Sequence, residues 1–259
     1  MIDRWLSLPV PALVFTVAAF YGGSALLLIY LCFGRLTGAW VQSFRGVVAP
    51  FIGGIVVILG ILIGFLANDV WDRNRRAAST VRREAASLLS LHDLVAASGL
   101  PDATINCAIR DYVTAVTEKE WPSMAEGEAS VQAEAAQDQL LRIVAQSESV
   151  PNGGAAFNRL LVDTAMNVRQ ARDDRLALSA DYSESEKWAS VLLFAVMGQI
   201  SVAVVHLERA RPHIAAMAIF TIGVIIVIGL IAAYEQPFNP PLSVSPEPLL
   251  NVLKLVSNG

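Results

Sequence analysis

Four apolar runs constrain this chain more than any other feature: Pro11–Phe33, Val48–Asn68, Trp188–His206 and Ile214–Tyr234. About 20 apolar residues of helix cross a hydrocarbon layer. Inside lipid the backbone must satisfy its own polar groups, so such runs become helices or closed barrels. No stretch alternates polar and apolar residues as a barrel strand would, so the runs read as helices. Composition agrees. Only 16% of the 259 residues are charged, against about a quarter in soluble domains. The first run is longer than a signal-peptide core and no cleavage site follows it, so it is expected to be a true span.

The expected fold is an all-α membrane protein with four transmembrane helices. A helical cytosolic domain is inserted between the second and third. The expected divisions are a hairpin over 1–68 (spans 11–33 and 48–68) and a helical domain over 69–187. A second hairpin covers 188–234 (spans 188–206 and 214–234), and a Pro-rich tail covers 235–259. Lys187 and Trp188 read as an interfacial anchor of the third span, and Tyr234 as that of the fourth. Gln199 should face other helices or water, because a polar group in lipid is costly. Arg4, Arg73, Arg75, Arg76, Arg82, Arg83, Arg175 and Lys187 flank the spans on one side. Arg35, Arg45, Arg209 and Arg211 flank them on the other. The positive-inside rule then puts both termini and the long region in the cytoplasm.

The long region reads as helices. The second span continues into "RRAASTVRREAASLLSLHDLVAAS", rich in alanine and leucine, and Gly99 with Pro101 ends it. A helix through "INCAIRDYVTAVTEKEW" is broken or kinked at Pro122. The next, "EGEASVQAEAAQDQLLRIVAQSE", has Ala133, Leu140, Leu141 and Val144 on its apolar side. Pro151–Gly154 is a turn, and a last helix runs from Ala155 toward the third span. The tail, interrupted by Pro237, Pro240, Pro241, Pro246 and Pro248, cannot be one long helix.

No chemistry-bearing motif is present, so the chain is read as a non-enzyme with no cofactor and no metal site. His92, His206 and His213 form no ligand pair and read as surface or interface residues. Cys32 lies in an apolar run and Cys107 in a polar one, so no mutual disulfide is expected. Glu118 and Glu120 read as a solvated helix face. With a net charge of −4 and no basic stripe, nucleic acid is not an expected partner.

Helical phase, at about 100° per residue, divides the second span into stripes. Gly53, Gly60, Gly64 and Ala67 form one; small residues so spaced allow another helix to approach closely. Gly54, Val57, Ile61, Phe65, Asn68 and Asp72 form the next, apolar along the span and polar where it ends. Phase alone leaves two readings: the second stripe faces lipid or another helix, or it is a hydrophobic constriction repeated around a symmetric oligomer.

"GFLANDVWDR" (Gly64–Arg73) resembles the segment that follows the pore neck of bestrophins, pentameric ion channels whose bacterial members carry a pattern close to F-x-x-N-x-x-[YW]-D-R. Phe65, Asn68, Trp71, Asp72 and Arg73 match it. The chain as a whole is similar to a bacterial bestrophin-like family through "VRREAASL" (Val81–Leu88), "YVTAVTEKEWPSM" (Tyr112–Met124), "RQARDDRLALS" (Arg169–Ser179) and "QPFNPP" (Gln236–Pro241). It departs from the pattern where Pro240 replaces a glycine, where no proline precedes Trp188, and where Asn74 and Arg75 replace a tryptophan pair.

The resemblance implies a pore neck of Val57, Ile61 and Phe65 and an inner mouth of Asn68, Asp72 and Arg76. It also implies a homo-oligomer, a pentamer, in the bacterial inner membrane, with lipid and small inorganic ions as its other partners. Acid and arginine lie within two turns of each other, so the residues leave ion sign open; the resemblance implies anions, chloride above all. The competing expectation is a non-conducting oligomeric scaffold or sensor acting through its cytosolic helices. A transporter fits less well, since no inverted repeat is visible.

Overall fold

The computed structural model describes residues 5–6, 8–35, 37–44, 46, 50–98, 102–146, 154–181, 183–240 and 242–258. Among these there are helices and turns and no strand. The stops expected at Gly99 and Pro101, the turn at 151–153, and Arg4, Arg45, Val48 and Pro241 lie outside the described residues. The chain divides into two compact units. One is Met1–Asp72 with Tyr182–Glu235, and the other is Arg73–Asp181 with Gln236–Gly259.

The first unit contains α1 (Val10–Phe33) and the start of α2 (Pro50–Ser98). It also contains α6 (Ser185–Val205) and α7 (Ala210–Ala233). The described part of each apolar run lies in or at the end of a helix long and apolar enough to cross a membrane, which marks a membrane protein. The core joins all four through Leu13, Val17, Tyr21, Leu66, Val70, Trp188 and Ile228. Around it the outward faces carry Phe15, Leu26, Ile219 and Ile226, as a lipid-facing surface would.

Polar groups inside this unit are bonded across helices. Gln199 is fully buried: its Nε2 donates to the Tyr21 carbonyl (3.0 Å) and the Thr221 hydroxyl (2.9 Å), and its Oε1 accepts from Ser24 (2.6 Å). It faces other helices, as lipid cost requires. Two expectations are corrected. Trp188 is not an outward anchor but is fully buried, edge-on to Trp5 at 5.4 Å, with its Nε1 donating to Glu235. Of the two readings of His213, surface or interface, the surface one does not hold: the residue is buried edge-on against Phe33.

The second unit is built on the remainder of α2, from Arg73 to Ser98. Its inward residues Ala77, Val81, Leu88, Leu91 and Val95 recur at helical spacing and are fully buried. Around it pack α3 (Asp102–Ala115), α4 (Val131–Gln146) and α5 (Gly154–Ala180). After α3 the helix widens into a π turn, Val116–Glu120, and Pro122 opens a new short turn. Gly127 ends the following 3₁₀ turn at φ +74°, a backbone that glycine adopts without strain. The segment expected as a tail is folded into this unit. α8 (Glu247–Asn258) packs on α3 and buries Leu249, Val252 and Val256.

Replacing Gln199 with leucine removes three interhelical bonds inside the first unit. The expected loss is about 1 kcal/mol, read as a lower thermal midpoint of the detergent-solubilised protein.

Candidate functional site

Two arrangements stand out, one in each unit. The first is the outward face of α2. Val57 is 61% exposed, Ile61 53% and Phe65 66%. Gly54 and Asn68 are exposed on the same stripe. The residues α2 gives to the core, Leu59, Leu66 and Val70, lie about half a turn around the helix from it. This face therefore points directly away from the unit's own core. A Cβ added at Gly53, Gly60 or Gly64 meets nothing within 4 Å. Among the described residues no other helix packs against these glycines, and their flank is open to another molecule.

At the end of this stretch Asp72 is partly buried and Arg76 is exposed, and both have polar partners. Asp69 was missed by the sequence reading. Its carboxylate accepts from Lys187 at 2.6 Å, tying α2 to the start of α6. Glu235 was missed as well. It is fully buried and accepts from the Ser183 backbone N–H (2.6 Å) and hydroxyl (3.2 Å) as well as from Trp188.

The second arrangement is a buried charge network. Arg175 donates from Nε to Glu84 at 2.7 Å, and from one terminal nitrogen to Glu84 (3.1 Å) and Glu120 (2.9 Å). Its other terminal nitrogen is 2.9 Å from Met124 Sδ. Arg172 donates from Nε to both Glu120 oxygens (3.1 and 3.2 Å), and from a terminal nitrogen to Gln137 (3.0 Å). The Tyr112 hydroxyl donates to Glu84 at 2.6 Å. Trp121 stacks near the Arg175 guanidinium and meets Phe238 edge-on at 5.5 Å. Glu84, Glu120 and Arg175 are fully buried and Arg172 nearly so. The two acids and two arginines sum to zero charge.

Local geometry explains the convergence. Arg172 and Arg175 are three apart on α5, so both point to one side while Asp173 stays exposed. Glu120 closes the π turn and points inward; Glu118 alone faces solvent. The solvated Glu118–Glu120 face is thus corrected for Glu120. Burial pushes the Glu120 carboxyl up. The Arg172 hydrogen bonds and the charges of Arg175 and Arg172 outweigh that and hold it below the usual carboxylate range. Burial and then the Glu84 charge push the Tyr112 hydroxyl well up.

The network holds helices together, its two acids and two arginines neutralising each other. Among the described residues no three His, Cys, Asp or Glu side chains are grouped as metal ligands would be. The model of the Bestrophin-like domain matches residues 19–249, well over half of the chain. No curated protein and no solved structure matches it.

Arg175→Met leaves two buried carboxylates to share one arginine. The expected cost is about 3–5 kcal/mol, seen as loss of the cooperative melt of the helical unit by circular dichroism. The ionised form of Glu120 stabilises the fold, because its pKa is lowered by folding. That contribution is complete above the ordinary value of 4.5 and is lost as pH falls through the lowered one. Glu120→Gln should lower the melting temperature at neutral pH and flatten the acid side of the stability curve below pH 4.5.

Proposed function

This chain belongs to the bestrophin-like family, and on that premise we propose that it is an ion channel, a homopentamer of the bacterial inner membrane. The four apolar helices cross the bilayer, and both termini and the helical unit lie in the cytoplasm. One observation carries the reading. An apolar face of α2, holding Val57, Ile61 and Phe65, is exposed directly opposite the unit's core. Four spans of one chain do not easily enclose a pore, so the path forms where several copies bring this face to a common axis. The adjacent flank, Gly53, Gly60 and Gly64, accepts the close approach of the neighbouring copy.

An ion then meets a dry neck with no fixed charge. Such a neck selects by the cost of shedding water, so weakly hydrated ions cross most easily. Asn68, Asp72 and Arg76 form the inner mouth. Anions, chloride above all, are the proposed permeants. The family resemblance supports this; the residues themselves, with Asp69 and Asp72 next to the arginines at 73, 75 and 76, leave ion sign open.

A second reading, a non-conducting scaffold or sensor, is favoured by a different observation. The sequence pieces that carry the resemblance outside α2's neck segment meet at the buried network of the helical unit and not at the neck. Flux separates the two. Purified protein in liposomes should pass chloride, and Ile61→Ala or Phe65→Ala should raise the flux several-fold by widening the neck. No flux from the wild type or either variant would leave the scaffold reading.

A further inference from the structure

We propose that His213 is a proton-responsive latch of the first unit: taking up a proton frees the turn between α6 and α7 from α1 and uncovers the Cys32 thiol. His213 lies in the first turn of α7 and is fully buried. Neither ring nitrogen has a hydrogen-bond partner. The ring meets Phe33 of α1 edge-on at 5.0 Å. All of these residues belong to the first unit.

Stability alone does not account for an imidazole here. A neutral imidazole carries one N–H donor and one acceptor nitrogen. Leaving both unsatisfied in the interior destabilises a fold relative to an apolar side chain of similar size. His206 shows the ordinary solution: it is half-buried, and its Nδ1 donates to the Val202 carbonyl at 3.0 Å. The carbonyl oxygens of Ala203 and His206, at the end of α6, approach the His213 ring but make no bond of normal geometry with it.

The surroundings do not hold a positive charge. Phe33 belongs to an apolar cluster that joins Cys32 of α1 to Ala203, Leu207 and Met217, with Val41 and Ile52 at its edge. The charged residues at these helix ends, Arg35, Glu208, Arg209 and Arg211, are all exposed. Among the described residues the one side chain whose charge acts on His213 is His206, a like charge when protonated. The carbonyls that end α6 favour a cation, yet they replace only part of the hydration that burial removes. A charged His213 is accommodated by moving into water, so protons bind the open arrangement in preference and acid populates it.

Cys32 reports the opening. Its thiol is free and 3% exposed, and the residues that cover it include Leu207 and Met217, on either side of His213 in the chain. On the topology proposed above, this turn lies outside the cytoplasm, so the protons are external ones. Conduction is not required, and the latch stands or falls apart from the channel reading.

The full-length protein carrying Cys107→Ser, whose only thiol is Cys32, tests this in lipid nanodiscs. The rate at which a dipyridyl disulfide, a reagent that reacts at acid pH, modifies Cys32 is measured from about pH 7.5 to about pH 5. Each rate is divided by that of the same protein carrying His213→Leu or His213→Gln, which removes the thiol's own pH dependence. The ratio should rise on the order of tenfold as pH falls. It should still rise when His206→Gln is added to both proteins of the pair. At neutral pH His213→Leu should melt at or above the temperature of the parent protein. Three results would overturn the proposal: a ratio that stays flat against both variants, a rise that disappears with His206→Gln, or loss of the fold in both His213 variants, which would make the imidazole structural.

Discussion

The helical unit is organised around one buried guanidinium. Arg175 binds Glu84 from α2 and Glu120 from the π turn, and lies against Trp121. Desolvating these charges carries a large cost, which only complete mutual pairing offsets. The network therefore tolerates little variation in how α2, the π turn and α5 are arranged. Arg172 adds Gln137 of α4, and Trp121 adds Phe238 from the segment that leads to α8. Most elements of the unit are thereby tied to one electrostatic centre. Its value lies in specifying an arrangement, since apolar packing of equal volume could match its stability.

This centre changes what the family resemblance means. Val81–Leu88 supplies Glu84, and Tyr112–Met124 supplies Tyr112, Glu120, Trp121 and Met124. Arg169–Ser179 supplies both arginines, and Gln236–Pro241 supplies Phe238. Pieces of sequence far apart in the chain are parts of one contact set. They identify the fold of the helical unit. The neck, by contrast, rests on the outward phase of α2, where the only demand the monomer makes is that the other side be apolar.

Hydropathy and helical phase made several features legible in the sequence. The four long apolar helices follow from length and composition. The continuity of α2 follows from its alanines and leucines. The outward stripe follows from a repeat of about 3.6 residues, and Gln199 turned inward as lipid cost requires. The buried network was not legible. Glu120 looks like any acid of a polar helix, and the arginines that bury it lie 52 and 55 residues away. Trp188 has the composition of an interfacial anchor but fills the core. The prolines after Tyr234 obscured a helix whose apolar side, Leu249, Val252 and Val256, completes the second unit.

The central claim is that the exposed face of α2 looks onto an ion path at the axis of a ring of copies. Electron microscopy of the purified full-length protein in lipid measures this most directly. The account predicts a ring, a pentamer, with α2 nearest the axis and Val57, Ile61 and Phe65 forming its narrowest point. An axis lined by α7, or a ring with no opening beside α2, would contradict it.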